Sequence, residues 1–498
     1  MADPKAATLE SEIVAFLSAG ASYGAPGGAV QRVETHGSEI FLIGERAYKL
    51  KRPIAFSALD YRTLARREAA CRAEVALNRR TAPELYLGLR AIRRRADGSL
   101  GFDGEGKLLD WVVEMWRFDQ ADLLDAQADI GLLGAGLMRD LADEIAGFHE
   151  LAEPTPGFGG AAGLGRAIER NQADFATVGG ILDLDSVHAL QTKSAAALRD
   201  IGDLLDRRAR TGKVRRCHGD LRLANICLVN GRPTLFDGIE FSEAISCIDV
   251  LYDLSFLLMD LGCRRLGRFA NIVLNRYLDR SGDGDALAVL PLMLSVRAAT
   301  RAFGLALGAK RRAGRPREAQ ALAVSAGQHL ALAAKLLEKR AARLVALGGL
   351  GGSSKSAFAY GLGAELAPMP GARVLAADVA ERRLLGLAPG ARIPATSRTG
   401  ELAAEVQAAL MQEAAGAMRA GRSAVLDAPL MRDGDRAELQ AFAASQAVPF
   451  FGLWLGALEE LGEAERPGWH ALERGGDLAA RLAHARSLID VAPPGAGR

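Results

Sequence analysis

Three oxygen-bearing side chains stand close together near the middle of the chain. Asp220 and Asn225 lie in the run HGDLRLANI (His218–Ile226), and Asp237 follows a short apolar segment. That segment reads ICLV, then Asn230-Gly231, then RPTLF. Asn-Gly between apolar runs is the strongest short-range hairpin signal, because both turn residues must take positive φ. With a two-residue loop Val229 pairs with Arg232, and counting back sets Asn225 opposite Phe236. Asn225 and Asp237 then flank the open end of one hairpin, with Asp220 on the incoming loop. Two carboxylates and a carboxamide are hard oxygen donors. They suit Mg²⁺ carrying nucleotide phosphates, since that ion is usually held by one or two carboxylates plus phosphate oxygens.

The pattern HxDxxxxN, followed by an apolar strand and Asp, resembles the catalytic signature of the protein-kinase-like fold in its aminoglycoside phosphotransferase branch. HGDLRLANI and FDGIEF match the branch spelling, in which D-x-I-E-F replaces D-F-G. The resemblance implies that Asp220 is the catalytic base for a substrate hydroxyl and that Asn225 and Asp237 hold the metal. His218 is expected to support the loop. Arg222 replaces the His that branch members often carry, and puts a cation in the loop that either steadies the γ-phosphate or reaches solvent.

Such a site needs a lysine on an N-terminal sheet and a carboxylate on the helix that follows. Residues 8–18 read as an amphipathic helix with Leu9, Ile13, Phe16 and Leu17 on one side. Alternating runs with turns at His36-Gly37-Ser38 and Gly44-Glu45 then predict a small antiparallel meander. Residues 60–80 predict a helix, and about 86–96 and 108–116 a further strand pair. Lys49 in AYKLK is the candidate phosphate-contacting lysine; Lys51 shares its face and is the runner-up. Glu74 is the expected partner on the helix, with Glu68 the rival. No G-x-G-x-x-G loop precedes the lysine, so VETHGS is left to cover the phosphates. WVVEMWRFD (111–119) resembles a hinge in which main-chain groups at Glu114, Met115 and Trp116 meet the adenine edge.

A long helix over 129–151 is expected next, with His149 a structural residue. Beyond the hairpin, Asp249 and Asp253 lie four apart and are read onto one helix face. The resemblance gives one of them, Asp253, the task of fixing the catalytic loop, and makes neither a metal ligand. Helices continue to about 340.

LVALGGLGGSSKSAFAYGLGAEL (344–366) is an apolar strand, a glycine-rich loop and a helix, the setting a P-loop requires. Gly349, Gly352, Lys355 and Ser356 nearly meet G-x-x-x-x-G-K-S, with Ser354 where the pattern demands Gly. A Cβ there crowds the closest backbone approach to the β-phosphate. Lys355 is expected on the phosphates and Ser356 on Mg²⁺. Asp378 ends one short strand and Asp427 another, where a metal-side carboxylate belongs. This part resembles the gluconate-kinase/zeta-toxin-like P-loop phosphotransferases. Their Arg-bearing lid is not matched by the acidic stretch ALEELGEAERPGWHALERGGD, which leaves Arg382, Arg383 and Arg432 as the nearest cations.

Length bounds the whole at two or three domains. The fold class expected is an α+β kinase-like bilobal domain over 1–340 (N-lobe about 25–118, C-lobe about 119–340). An α/β P-loop domain with a parallel sheet follows over 341–498. The order resembles proteins labelled bifunctional aminoglycoside phosphotransferase/ATP-binding proteins, from about 25 to 490. It implies ATP or GTP with Mg²⁺ and a small hydroxyl-bearing acceptor, which the fold by itself does not choose. Net charge +2 with 24% charged residues argues for neither nucleic acid nor a membrane surface. Five cysteines without C-x-x-C spacing and a start lacking a signal peptide point to reduced thiols and the cytoplasm. The other class of function is a nucleotide-binding regulator, a pseudokinase without turnover.

Overall fold

The computed structural model describes residues 4–35, 37–56, 59–349, 353–428, 433–456, 468–472 and 477–491. They divide into two compact units. One comprises Met1–Leu133, Gly147–Phe158 and Gly212–Asp253; the other Gly134–Ala146, Gly159–Thr211 and Leu254–Arg498. The helices between about 254 and 336 therefore group with the P-loop sheet, although the change of sequence character falls near 340.

In the first unit a six-stranded antiparallel sheet runs in the order Gln31–Glu34, Ser38–Ile43, Arg46–Lys51, Lys107–Trp116, Tyr86–Arg94, Leu100–Phe102. Alternation decides its faces. Tyr48 and Leu50 point to one side, where Phe41, Ile92 and Val112 receive Ile13 and Leu17 of the helix Pro4–Ser18. Ala47, Val113 and Met115 point to the other, against Cys71 and Val75 of the helix Leu64–Asn78. Each large apolar side chain buried in this way contributes roughly 1.5–3 kcal/mol. Both helices thus fix the lysine strand from opposite faces. The helix expected over 129–151 starts later, running Ala135–Leu151, and a separate short helix, Leu124–Asp129, precedes it. Gly131 takes φ 73° between them, a left-handed turn that no α-helix accommodates.

In the second unit the helices Gly160–Ala176, Leu184–Arg210, Ala286–Arg311 and Pro316–Leu336 pack together. Ala286–Arg311 is long and apolar enough to cross a membrane by length and composition, and 72% of its apolar window is buried within the protein. Five parallel strands follow in the order Arg373–Ala376, Ala424–Asp427, Leu344–Gly349, Phe450–Leu455, Trp469–Leu472. Helices cover both faces of this sheet. The first strand in sequence lies in the middle, so strand order reverses there, and ligands of such sheets bind at the carboxyl ends beside that point. Part of the acidic stretch that failed to match an Arg-bearing lid is the fifth strand, Trp469–Leu472; residues 457–467 lie outside those described.

The edge strand Arg373–Ala376 is capped by side chains of the helix Gly267–Ser281. Val374 N–H donates to Asn275 Oδ1 at 2.8 Å, and the Asn271 and Asn275 amides donate to the Ala372 carbonyl at 2.9 and 3.1 Å. Arg373, 4% exposed, pairs with Asp279 at 2.6 Å and Glu413 at 2.7 Å. An uncapped edge is a template for aggregation, and a buried cation that loses one partner is strongly destabilised. A chain truncated to begin near 342 is therefore expected to be less soluble and to unfold at lower denaturant than the same segment in the full protein. Native-like stability of that fragment would refute the capping role.

Candidate active site

Lys49 lies on the inner face of its strand, with Nζ 2.7 Å from Glu74 Oε1 and 2.5 Å from Asp237 Oδ1. Glu74 is fully buried, whereas the rival Glu68 faces outward and pairs with Arg72 at 2.8 Å. Lys51, expected only as an alternative, is a second member of the cluster. Its Nζ is 2.5 Å from Glu74 Oε2 and also pairs with Glu240. Tyr61 donates to Glu240 at 2.5 Å. Glu74 thus carries a lysine on each oxygen. Burial alone would lower the Lys49 pKa, but Asp237 and Glu74 outweigh it and hold the ammonium above its ordinary range. Burial raises the Glu74 pKa, yet Lys49 and Lys51 bring it below the usual carboxylate value. Tyr61 and Glu240 were not legible as site residues. The only signal for Glu240 was its place in FDGIEF.

The hairpin has the register expected from its turn. Val229 pairs with Arg232, and Phe236 N–H donates to the Asn225 carbonyl at 3.0 Å. Asn230 and Gly231 take φ of 51° and 75°. Asp237 is also left-handed, at φ 60°, which costs a residue with a Cβ about 1–2 kcal/mol. Its N–H donates to Tyr86 Oη at 3.2 Å, and Gly238 N–H to Asn78 Oδ1 at 2.8 Å. These bonds from the neighbouring helix and strand hold the turn that aims Asp237.

The catalytic loop is anchored from below. Asp253 accepts the N–H groups of His218 and Gly219 at 3.0 and 2.9 Å and meets His149 Nε2 at 3.2 Å. His218 donates from Nε2 to the Phe236 carbonyl at 2.8 Å and accepts Asp220 N–H on Nδ1 at 3.3 Å. Asp249 does not share a helix with Asp253. Pairing of Cys247–Asp249 with Val214–Arg216 draws it into a strand, and it accepts Leu251 N–H at the start of the helix from Val250.

Arg222 is only partly exposed, 22% by side chain, and it is already paired. It grips Asp220 with both ends of its guanidinium, Nε to Oδ1 at 2.8 Å and NH2 to Oδ2 at 3.0 Å. Asn225 Nδ2 adds a bond to Asp220 Oδ2 at 2.7 Å. Burial pushes the Asp220 pKa up, but Arg222 overcomes it and the carboxyl sits below its usual range. Removing Arg222 should therefore raise that pKa. We expect the acid limb of kcat/KM to move to higher pH in Arg222→Ala; an unmoved limb would mean that Asp220 is not the titrating base.

Asn225 commits its amide nitrogen to Asp220, which leaves its carbonyl oxygen as a donor. Asp237 has one oxygen on Lys49, and its side chain is 44% exposed. A carboxylate oxygen and an amide oxygen at one mouth fit Mg²⁺. The hinge expectation needs correction. Glu114 and Met115 are paired on both sides, with Tyr48 and Ala47 and with Gly88 and Tyr86, and Trp116 N–H donates to the Leu85 carbonyl. Their main-chain groups are held by the sheet, and the Glu114 side chain accepts from Tyr48 at 3.0 Å on the far face. Even Arg117 N–H is occupied, donating to the Glu45 carbonyl at 2.9 Å.

In the P-loop sheet, Ser356 Oγ donates to Asp427 Oδ2 at 2.7 Å, and Lys355 Nζ stands 3.2 Å from Asp427 Oδ1. Lys355 also donates to the Ala428 carbonyl at 3.0 Å. Serine, lysine and carboxylate are thus brought together as expected. Gly349 takes φ 115°, and a Cβ there would approach the Leu455 carbonyl to 2.7 Å. Gly352 and the side chain of Ser354 lie outside the described residues, as does Arg432. Asp378 falls in the first turn of the helix Ala377–Leu384, not on a strand end, and pairs with Arg382 at 2.7 Å. Arg383 is paired with Glu413. Both arginines are thus already paired with carboxylates.

The AAA domain family model matches residues 344–464. Uncharacterized protein Rv2004c of Mycobacterium tuberculosis is 30% identical over 365 residues, which span 70% of this chain and 68% of that one. Uncharacterized protein Mb2027c of Mycobacterium bovis gives the same figures. The chain belongs to their family. Among solved structures, a candidate aminoglycoside phosphotransferase from Ralstonia eutropha is similar at 14% identity and a TM-score of 0.41, covering 62% of this chain and 92% of that one. A choline/ethanolamine kinase family protein from Mesorhizobium loti reaches 14% and 0.37 over 66% and 99%. A kinase-like phosphotransferase fold is here joined to a P-loop domain, and the lysine–glutamate pairing and hairpin geometry carry the first half of that statement.

Proposed function

We propose that the protein is a small-molecule kinase. It moves the γ-phosphoryl group of ATP or GTP to a hydroxyl of a metabolite or aminoglycoside-like acceptor, with the P-loop domain as a second nucleotide site. The observation that supports this best is the convergence of Lys49, Glu74 and Asp237 by direct ion pairs in the unit that also presents Asp220 and Asn225. Asp220 takes the hydroxyl proton as the acceptor oxygen bonds to the γ-phosphorus. The bond to the bridging oxygen breaks and the nucleoside diphosphate leaves. Lys49 exchanges Asp237 for the phosphates while Glu74 keeps its place. Asp237 and Asn225 would hold a Mg²⁺ ion, whose chemistry there would be neutralisation of nucleotide phosphate charge. Catalysis on this reading is positioning and charge neutralisation.

On this reading the functional division lies at residue 340, the partner is a small molecule and neither nucleic acid nor a membrane, and the compartment is the cytoplasm. Free cysteines that are buried or half-buried suit a reducing compartment. The test is a nucleotide-depletion screen of the full-length protein against hydroxylated metabolites and aminoglycosides. Depletion that is acceptor-dependent and lost in Lys49→Met supports the reading; depletion that persists in that variant removes the first site from it.

The metal assignment is checked separately. Asp237→Ala should lose the Mg²⁺-dependent part of nucleotide affinity, and Asn225→Ala less, because a carbonyl neutralises no charge. Equal wild-type affinity with and without Mg²⁺, by calorimetry, would remove both residues from metal binding. The second reading is a nucleotide-binding regulator without turnover. It is favoured by Arg222, which occupies both oxygens of the base. Nucleotide binding with no turnover on any acceptor, restored by none of the Arg222 variants, would support it.

A further inference from the structure

Two lysines of one strand meet two carboxylates of one segment. Lys49 and Lys51 lie two residues apart on the strand Arg46–Lys51, and Asp237 and Glu240 lie three apart in FDGIEF. Lys49 pairs with Asp237 at 2.5 Å and Lys51 pairs with Glu240, so strand and segment are joined by two rungs. Glu74 lies between the lysines with one oxygen on each. The charges therefore alternate along one line: Glu240, Lys51, Glu74, Lys49, Asp237. Among the described residues, these rungs are the only ion pairs or hydrogen bonds from Asp237–Glu240 to that strand. The bonds of Asp237 and Gly238 to Tyr86 and Asn78 run to other elements.

The two rungs differ in what they can exchange. The outer one ends at Asp237, whose side chain is 44% exposed at the mouth. The inner one is closed: the side chains of Lys51 and Glu240 are 2% and 5% exposed. Tyr61 closes it further. Its hydroxyl donates to Glu240 and accepts from Lys51 Nζ at 3.4 Å, and its ring meets Phe241 edge-on at 6.5 Å. Tyr61 is itself buried, packed with Leu59 and Ala70. The Lys51 ammonium is thus enclosed by two carboxylates and a phenol, away from any phosphate. A nucleotide that draws Lys49 from Asp237 opens the outer rung alone.

We propose that Lys51, Glu240 and Tyr61 are positioning residues: the inner rung keeps the segment bearing Asp237 in register with the lysine strand while the outer rung is open. Asp237 has left-handed backbone at φ 60°. Such a residue persists only where its surroundings over-determine it, and release from Lys49 removes one of its restraints. The inner rung replaces that restraint from three residues away, so Asp237 stays placed for its part of the Mg²⁺ site. The proposal rests on reading Lys49 and Asp237 as the nucleotide and metal groups of the first site.

The test titrates ATP by calorimetry into the full-length protein with and without Mg²⁺. The quantity read is the Mg²⁺-dependent gain in affinity, within the part of the binding that Lys49→Met abolishes. Lys51→Met, Glu240→Leu and Tyr61→Phe made together remove the inner rung whole. One charge of each sign goes with the phenol between them, and Glu74 keeps Lys49. Exchanging a complete buried ion pair for apolar groups of similar size is often neutral for stability, so the urea midpoint should stay near wild type. The Mg²⁺-dependent gain should nevertheless fall roughly tenfold or more, the usual effect of removing a group that orients a metal ligand. Glu240→Gln keeps the shape of the rung and weakens it, should lose part of the same gain, and decides the matter if the triple variant does not fold. A gain within about threefold of wild type in the folded variants, whatever their urea midpoints, makes the rung structural only; it overturns the positioning role and leaves the kinase reading standing. Absence of any Lys49-dependent Mg-ATP binding in the wild type overturns both.

Discussion

Asp220→Asn removes phosphoryl transfer from the first site: turnover falls about 10²–10⁴-fold, the usual contribution of a positioned base, while Mg-nucleotide affinity stays close to wild type. The reason lies in the geometry of the loop. Asp253 holds the main chain of His218 and Gly219, and His218 bridges to Phe236, so the loop keeps its path when the carboxylate becomes an amide. Asn cannot accept the hydroxyl proton. Its amide would also face Arg222 NH2, which now donates to Asp220 Oδ2, so Arg222 turns away and the base is lost without refilling. Arg222→Ala serves as the control, because it frees the carboxylate while retaining it. Turnover of the Asn variant within about threefold of wild type, against that expectation, would remove Asp220 from the catalytic role. A matching loss of nucleotide affinity would instead place it on the nucleotide.

Glu74→Ala is expected to cost about 3–5 kcal/mol of stability, the cost of breaking a buried pair and leaving the opposite charge unmatched. Here two ammonium groups each lose one of their carboxylate partners. Glu74 is fully buried, Lys51 is 2% exposed, and each Glu74 oxygen serves one lysine. Lys49 retains Asp237, and Lys51 retains Glu240, so the loss stays near this range. Glu68→Ala, six positions earlier on the same helix, breaks only an exposed pair with Arg72 and should change stability by less than about 1 kcal/mol. Urea midpoints of the two variants decide the matter; equal midpoints would mean that the buried hub contributes nothing. The pH dependence has a definite sign. The folded Glu74 carboxyl sits below its ordinary value. Its contribution is therefore complete above the unfolded carboxylate pKa of about 4.3 and is lost as pH falls through the folded value. Glu74→Ala should flatten that acid limb of stability.

Much of the candidate site was legible because it is local. HGDLRLANI, the Asn230-Gly231 turn and Asp237 lie within one short stretch, and a two-residue turn determines register without help from the rest of the fold. The strand–loop–helix around Lys355 is equally local, and so is Asp427 at the end of an apolar run. Alternation in AYKLK put Lys49 and Lys51 on one face, but alternation cannot say which of two like residues meets a partner. The structure's answer was both, since Glu74 has two oxygens and the helix sets them between the lysines. The same limit applies along the helix: Glu68 and Glu74 have similar neighbours in sequence, and only packing against the sheet buries one and exposes the other.

Where the reading failed, a long-range contact overrode a local pattern. Asp249 and Asp253 have helical spacing, yet pairing with Val214–Arg216 pulls Asp249 into a strand. Glu114 and Met115 sit near the end of an apolar run, yet strands on both sides occupy their main chain. Arg222 looked like a cation in search of a phosphate until the fold laid it along Asp220. Nothing in the acidic stretch after Leu455 announced a fifth strand. By itself the sequence determined which chemical groups the protein has and how those within a turn or two of one another are arranged, because short-range geometry follows from backbone sterics and side-chain period. Which distant groups meet, and whether a given charge is buried with a partner or left in water, was decided by tertiary packing alone, since those energies depend on neighbours that sequence proximity does not supply.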